Sequence, residues 1–311
     1  MNKLNLDKAH NLRDAVLLSQ AYLEEAGVWF GHGTDNALDE AAWLVSHVLG
    51  LAPDFAEESL LLPLSEADKE AVSALLQRRV EERLPAAYLT HQAWFAGLPF
   101  YVDERVLVPR SPIAELIMGE FRPWLAPERV ERVLDLCTGS ACIAIAIACA
   151  LPQAQVDASD ISSGALDVAL RNVAEHNLQD RVHLFESDLF SELDGRRYDL
   201  IVSNPPYVDA EDMAALPDEY RREPEQGLAA GSRGLDLVIP MLRDAPACLQ
   251  PEGLIIVEVG NSAEALSRQF PHVPFTWLDF EYGGEGVFLL EASQLSDYHT
   301  DFAKAAKRLQ E

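Results

Sequence analysis

Tyr198-Asp199-Leu200-Ile201-Val202-Ser203-Asn204-Pro205-Pro206-Tyr207 is the stretch on which the reading of this chain turns. Its first six residues form the short apolar run of a buried strand. Two prolines then end the strand, because each lacks the N–H that a sheet ladder requires. The chain must leave the sheet at the strand's carboxyl end, which in open α/β sheets is where ligands bind. Asn204 brings one acceptor and two donors, the Pro205 carbonyl brings a further acceptor, and the Tyr207 ring is a flat apolar wall. This set suits a planar amide or amine that donates two hydrogen bonds. The same residues also make an ordinary proline-rich turn, so the surroundings decide between the two.

Those surroundings alternate apolar strands with helices from Val130 onward. Val133-Leu134-Asp135-Leu136 reads as a strand and Cys142 to Ala150 as a helix. Gln155 to Ser159 is a strand and Ser162 to Asn177 a helix. Strands follow at 182–185, 199–203, 254–259, 276–280 and 286–290. The pattern predicts an α/β fold: a doubly wound, mostly parallel sheet. The last two strands are joined by Tyr282-Gly283-Gly284-Glu285, too short a link for anything but an antiparallel pair.

Asp135-Leu136-Cys137-Thr138-Gly139-Ser140-Ala141 lies between the first of these strands and its helix. A tight turn there brings backbone N–H groups close to a ligand. Asp160 ends the second strand, 21 residues after Gly139, where an acid can bond both hydroxyls of a ribose or help cap the following helix. Asp188, next to Leu189, follows the third strand, where a carboxylate can accept from an adenine amino group or simply make a turn. Asn204 to Tyr207 follow the fourth. A dinucleotide enzyme would require G-x-G-x-x-G, which this loop lacks. S-adenosylmethionine, with an adenosine and a sulfonium but no pyrophosphate, accounts for the ordered set.

Composition narrows the class. Lys and Arg total 24 and Asp and Glu 51, a net charge of 24 − 51 = −27. Such a field repels free nucleic acid and attracts a basic protein, and it also keeps a protein soluble. No run of roughly 18 apolar residues predicts a membrane span, and the N-terminus lacks the apolar stretch of a signal peptide. The four cysteines, Cys137, Cys142, Cys149 and Cys248, form no C-x-x-C pair. They read as reduced, buried thiols of a cytoplasmic protein rather than disulfides or a metal site, and no metal is expected.

Residues 1–90 read as a small helical domain. Ala41 to Leu49 has apolar residues at helical spacing, and Ser65 with Asp68 resembles a capping box ahead of Ala71, Val72, Leu75, Leu76 and Val80. Residues 91–108 read as a β-hairpin linker with its turn at Gly97-Leu98-Pro99, and residues 109–311 as the catalytic domain.

With these residues in view, the chain resembles the class I methyltransferases that act on amide or amine nitrogen, and within them the bacterial protein-glutamine methyltransferases, along nearly its full length. The release-factor branch carries P-R-P-D-T-E after the hairpin. This chain instead has Val108-Pro109-Arg110-Ser111-Pro112, followed later by Leu216-Pro217 and Glu219-Tyr220-Arg221-Arg222-Glu223-Pro224-Glu225. Both stretches, and Cys137, are similar to the branch that methylates a glutamine of large-subunit ribosomal protein number three. The resemblance implies a seven-stranded sheet with an antiparallel final hairpin and a small helical substrate-recognition domain. It also implies S-adenosylmethionine as methyl donor, S-adenosylhomocysteine as product, and a basic ribosomal protein as partner, with neither free nucleic acid nor membrane. By the same resemblance Asn204, Pro205, Pro206 and Tyr207 hold the glutamine amide. Asp135, Cys137, Thr138, Gly139, Ser140, Ala141, Asp160, Asp188, Leu189 and Asn204 surround the cofactor, with Asp135 ordering the loop rather than touching the methyl. Arg110 either approaches the cofactor or pairs with the acidic surface; Glu258 has no assigned role. Ala141 departs from the family pattern, where glycine is usual. If its φ is positive, alanine costs about 1–2 kcal/mol. Two other functions share the sequence features: a release-factor methyltransferase, and a ribosome-assembly binding module that has lost catalysis.

Overall fold

The computed structural model describes residues 4–52 and 55–309. The chain forms two compact units, one of Met1–Ala93, Val102–Glu104 and Pro217–Glu223, the other of Trp94–Tyr101, Arg105–Leu216 and Pro224–Glu311.

In the first unit, helices α1 (Leu12–Ala26), α2 (Ala37–Val48), α3 (Glu66–Glu81) and α4 (Ala86–Thr90) surround a core that includes Leu12, Leu23, Leu44 and Leu76. Each longer helix starts on a side chain that satisfies an otherwise orphaned N–H. Asn11 accepts from Asp14, Asn36 accepts from Asp39, and Ser65 with Asp68 closes the expected capping box. The 217–223 segment joins this unit through two buried acids. Glu219 accepts from the Trp29 N–H at 3.0 Å and from both Arg79 and Arg83 at 3.3 Å. Arg79, itself buried, also bonds Glu40 at 2.7 Å and the Trp29 carbonyl. Burial alone would raise the Glu219 carboxyl, but the Trp29 N–H, its own N–H and the two guanidiniums outweigh it and hold the carboxyl below its ordinary range. Four residues on, Glu223 Oε2 lies 3.3 Å from Nε2 of buried His32, whose ring packs against Tyr220 at 4.4 Å.

The second unit begins in a hairpin, β1 (Ala93–Phe95) and β2 (Leu98–Phe100). Its turn is Ala96-Gly97, both at positive φ, one residue earlier than expected. A two-residue turn of this kind needs left-handed backbone at both positions, and Pro99, whose φ is fixed negative, belongs to the strand. A seven-stranded sheet follows, in the order β5-β4-β3-β6-β7-β9-β8. Its strands are β3 (Arg132–Leu136), β4 (Gln155–Asp160), β5 (Val182–Glu186), β6 (Tyr198–Ser203), β7 (Leu249–Glu258), β8 (Thr276–Leu278) and β9 (Val287–Glu291). The first five are parallel, and β9 runs antiparallel to both β7 and β8.

Alternation along the strands builds a core on each face. Val133, Leu200, Val202 and Ile256 point to one side, toward α5 (Ile113–Met118), α6 (Cys142–Ala150) and α7 (Ser163–Glu175). Leu134, Ile201, Ile255 and Val257 point to the other, with residues of α9 (Val238–Cys248) and α12 (His299–Leu309). Three short helices, α8 (Ala210–Ala215), α10 (Ala263–Gln269) and α11 (Ala292–Asp297), complete the chain. No described helix is long and apolar enough to cross a membrane. The cysteines are free, as read from sequence, but only Cys142 and Cys248 are buried; Cys137 is half-buried and Cys149 exposed. Cys149 falls near the C-terminal end of α6, where the helix surfaces.

Candidate active site

The strand order reverses between β3 and β6: β4 and β5 lie on one side of this pair, β7 on the other. At such a switch point the connections diverge and leave a crevice at the carboxyl ends. The pairing of Leu136 with Ser203 places the two motif-bearing turns side by side, and the Ser203 hydroxyl donates to the Leu136 carbonyl at 2.7 Å. The loop 137–141 and the tetrapeptide 204–207 therefore leave the sheet next to each other.

The loop is held from below. Asp135 is fully buried; its Oδ2 accepts the Thr138 hydroxyl at 2.5 Å and the Ala144 N–H at 3.1 Å. Burial pushes this carboxyl up to about 7, against those two bonds, and the nearby Asp160 adds to the rise. The backbone is left-handed at Cys137, Gly139 and Ala141, with φ of 59°, 55° and 63°. A side chain added at Gly139 would meet open space, so the backbone itself faces the crevice there. Ala141 does occupy the conformation that favours glycine. Buried Asn172 ties the loop to the hairpin, donating to the Ser140 carbonyl at 2.9 Å and to the Tyr101 carbonyl while accepting the Tyr101 N–H. Burial, reinforced by Asp160 and Asp135, keeps the Cys137 thiol well above its ordinary pKa, so it remains a neutral wall.

A cavity of about 330 Å³ opens over this loop. Cys137, Gly139, Asp160, Asp188, Leu189 and Pro206 line it. Asp135, Thr138, Ser140 and Ala141 do not; they support the loop from beneath. Asn204, Pro205 and Tyr207 are not among the lining residues either, although Pro206 between them is. Asp160 Oδ2 accepts the Gly139 N–H and Oδ1 the Ser162 N–H, each at 2.9 Å. The cap of α7 is Ser162, which accepts from Ala165, so Asp160 fastens the loop to the end of β4 instead. Burial raises its carboxyl against these backbone bonds. Asp188 is exposed at the cavity's edge in the turn after β5.

The cavity has contributors that the linear motifs did not mark. Arg105, Val106 and Leu107 come from the stretch after the hairpin, and residues 224–237 supply one wall. Ile161, half-exposed, sits in the wall beside Asp160. An apolar residue directly after the strand-ending acid was the available signal for it. Tyr207 also has partners that the linear motif did not mark. Its hydroxyl donates to Glu258 Oε1 at 2.8 Å, and a side chain at Gly260 would strike its ring at 2.6 Å. Its ring is thus anchored on the end of β7.

The donor set fits S-adenosylmethionine. The Asp160 carboxylate has more acceptor sites than the backbone N–H groups of Gly139, Ile161 and Ser162 fill, which suits ribose hydroxyls, and Ile161 and Leu189 give apolar surface for a flat base. A bare backbone at Gly139 admits close approach.

The Methyltransferase small domain family matches residues 121–219, from just after α5 to beyond the tetrapeptide. Two curated relatives are named ribosomal protein uL3 glutamine methyltransferase. That of Xylella fastidiosa is 52% identical over 303 residues, covering 96% of each chain. That of Xanthomonas campestris pv. campestris is 52% identical over 289 residues, covering 93% of this chain and 94% of the relative. The chain belongs to this methyltransferase family. Membership spans both compact units, since the match to the Xylella relative reaches 96% of the chain.

Proposed function

We propose that this chain transfers a methyl group from S-adenosylmethionine to the side-chain amide nitrogen of a glutamine in ribosomal protein uL3. The observation that carries the reading is the adjacency of the Asn204–Tyr207 turn to the loop 137–141 and the cavity over it at the sheet's switch point. The extended similarity to the two relatives supplies the substrate.

The donor supplies an electrophilic methyl on a sulfonium. Asp160 holds the ribose, Asp188 the adenine edge, and Ile161 and Leu189 cover its faces. The Asn204 side-chain oxygen and the Pro205 carbonyl accept the two N–H bonds of the substrate amide. That nitrogen is a weak nucleophile because its lone pair is delocalised into the carbonyl. Holding both hydrogens fixes the amide so that its nitrogen faces the methyl. Such orientation is worth up to roughly 7–11 kcal/mol in favourable cases, and the two acceptors also stabilise positive charge growing on the nitrogen. No strong base is needed beforehand, since the nitrogen sheds its proton readily once it is cationic. Pro206 closes the cavity side of the tetrapeptide.

The reaction takes place in the cytoplasm, on a basic protein attracted by the acidic surface. Incubating the enzyme with labelled S-adenosylmethionine and isolated, unmethylated uL3, then locating the label by mass spectrometry, tests the reading. Label on a uL3 glutamine amide, absent with Asn204→Ala, is the expected result. Label on a release factor and not on uL3 would overturn the substrate assignment.

A further inference from the structure

Glu258 is the last residue of β7 and is buried, 3% exposed. Both of its carboxylate oxygens are engaged, and by different loops. Oε1 accepts the Tyr207 hydroxyl at 2.8 Å and Oε2 the Ser111 hydroxyl at 2.5 Å. Ser111 Oγ in turn accepts the Ile113 N–H at 3.2 Å, at the start of α5. One acid thus links the Asn204–Tyr207 segment to the Pro109–Pro112 turn, across separations of 51 and 147 residues. Arg110, next to Ser111, adds a favourable charge.

The ring that Glu258 holds has little other freedom. Gly260, at φ +44°, leaves room for the Tyr207 ring where any side chain would collide. The Tyr207 carbonyl accepts the Ser262 hydroxyl at 2.9 Å. Glu258, Gly260 and Ser262 therefore form a seat for Tyr207 at the end of β7 and just beyond it. The residue type at 258 is specific to the task. Both neighbours donate a hydroxyl, and only a carboxylate accepts at both ends; glutamine has one accepting oxygen and a donating NH₂. A buried acid is a costly way to fill space, and burial raises this one to about 6 despite the two hydroxyls and Arg110.

We propose that Glu258 is a positioning residue: it fixes Tyr207, and through Tyr207 the Asn204–Pro205 acceptors, against the Pro109–Pro112 turn. The inference rests on the reading of Asn204–Tyr207 as the amide site. Its action passes through Tyr207, so the two residues are coupled for turnover and leave the cofactor pocket alone, whose lining includes neither.

The test is a double-mutant cycle on the full chain, with uL3 as methyl acceptor and S-adenosylmethionine affinity measured separately. Glu258→Gln and Tyr207→Phe are each expected to lower kcat by about 10–100-fold, with cofactor Kd changed by less than about twofold. In the double variant kcat should fall no more than about threefold below the worse single variant, because both substitutions break the same link. Losses that multiply, or a Glu258→Gln variant with wild-type kcat, overturn the proposal while wild-type labelling of uL3 still supports the function. Absence of uL3 labelling by the wild type overturns the function and the inference with it. If Glu258→Gln fails to fold, Ser111→Ala paired with Tyr207→Phe carries the cycle, since each deletes one oxygen. Independent losses in that pair overturn the link.

Discussion

Asn204→Ala is expected to lower kcat about 100-fold or more, with cofactor affinity nearly intact, since the contacts proposed for it are to the reacting amide. A variant that keeps near-normal kcat would remove Asn204 from the amide site. Asp160→Ala should weaken S-adenosylmethionine binding at least about 10-fold by calorimetry. It removes the proposed ribose acceptor and releases the Gly139 and Ser162 N–H groups that the acid now holds, at about 1–3 kcal/mol for each unsatisfied group. Unchanged affinity would leave Asp160 a purely structural staple. Legibility at this scale followed locality. Asp135, Asp160 and Asp188 stand out in the sequence because each lies at or near a strand's carboxyl end, and the tetrapeptide because it is contiguous. Glu258 could not, because its partners are Ser111 and Tyr207, and nothing in the sequence around Val257-Glu258-Val259 points to either. The anchor of Tyr207 was illegible for the same reason: its hydroxyl and ring meet residues at and beyond the end of β7.

The first turn of α6 carries a strain that alanine bears in place of glycine. Ala141 is left-handed, at φ 63° and ψ 22°, and completely buried. Ala141→Gly relieves about 1–2 kcal/mol of backbone strain. It gives up a buried methyl worth about 0.8 kcal/mol and loses about 0.5–1 kcal/mol to the freer unfolded chain. Urea unfolding should therefore place Ala141→Gly within about 1 kcal/mol of the wild type. Ala141→Val adds a branched side chain where neither the conformation nor the packing admits one, and should lose at least about 2 kcal/mol. Equal stability of the valine variant would contradict this account. Strands and helices were legible here because a parallel sheet enclosed on both faces needs apolar runs, and Leu200-Ile201-Val202 or Ile255-Ile256-Val257 permit little else. The hairpin turn was misread because Gly97-Leu98-Pro99 looks like turn chemistry, whereas the left-handed pair is Ala96-Gly97.

For the whole molecule, charge and burial act in the same direction on acidification. Asp135 and Glu258 are pushed up to about 7 and about 6 by burial. Between about pH 4.5 and 7 the folded chain therefore holds protons that the unfolded chain does not, so stability falls as pH rises through that window. Neutralising part of a −27 charge adds to the gain at lower pH. The melting temperature should be a few degrees higher at pH 6 than at pH 8, then fall below about pH 4 as Glu219, held low by its N–H and guanidinium partners, is protonated. A higher melting temperature at pH 8 would refute this balance. The same charge should make uL3 binding weaken with salt, in KM and association rate, as the Debye length drops from about 10 Å at 0.1 M to about 3 Å at 1 M. Free uL3 should also be methylated faster than intact unmethylated large subunits, whose RNA repels the enzyme. Equal labelling of subunits, with no salt effect, would show that net charge does not govern the encounter. The two-unit division was only partly legible. Helical periodicity marks the first ninety residues, but the assignment of 217–223 to them rests on Glu219 and Glu223 reaching Arg79 and His32, contacts that no local pattern encodes.

The capture of Pro217–Glu223 by the helical unit has a consequence for the order in which the protein is made. A ribosome delivers the helices first, yet Arg79 then has Glu40 as an acid partner but not Glu219, and Arg83 lacks its contact with Glu219. Glu219 arrives 126 residues after residue 93, roughly 6–25 s later at usual synthesis speeds of about 5–20 residues per second. During that interval the newborn helices lack the carboxylate that both guanidiniums share. The N-terminal unit, first to be synthesised, is thus completed only after β3 to β6 have emerged, so a chain stalled before residue 219 should present it as an open, protease-sensitive intermediate.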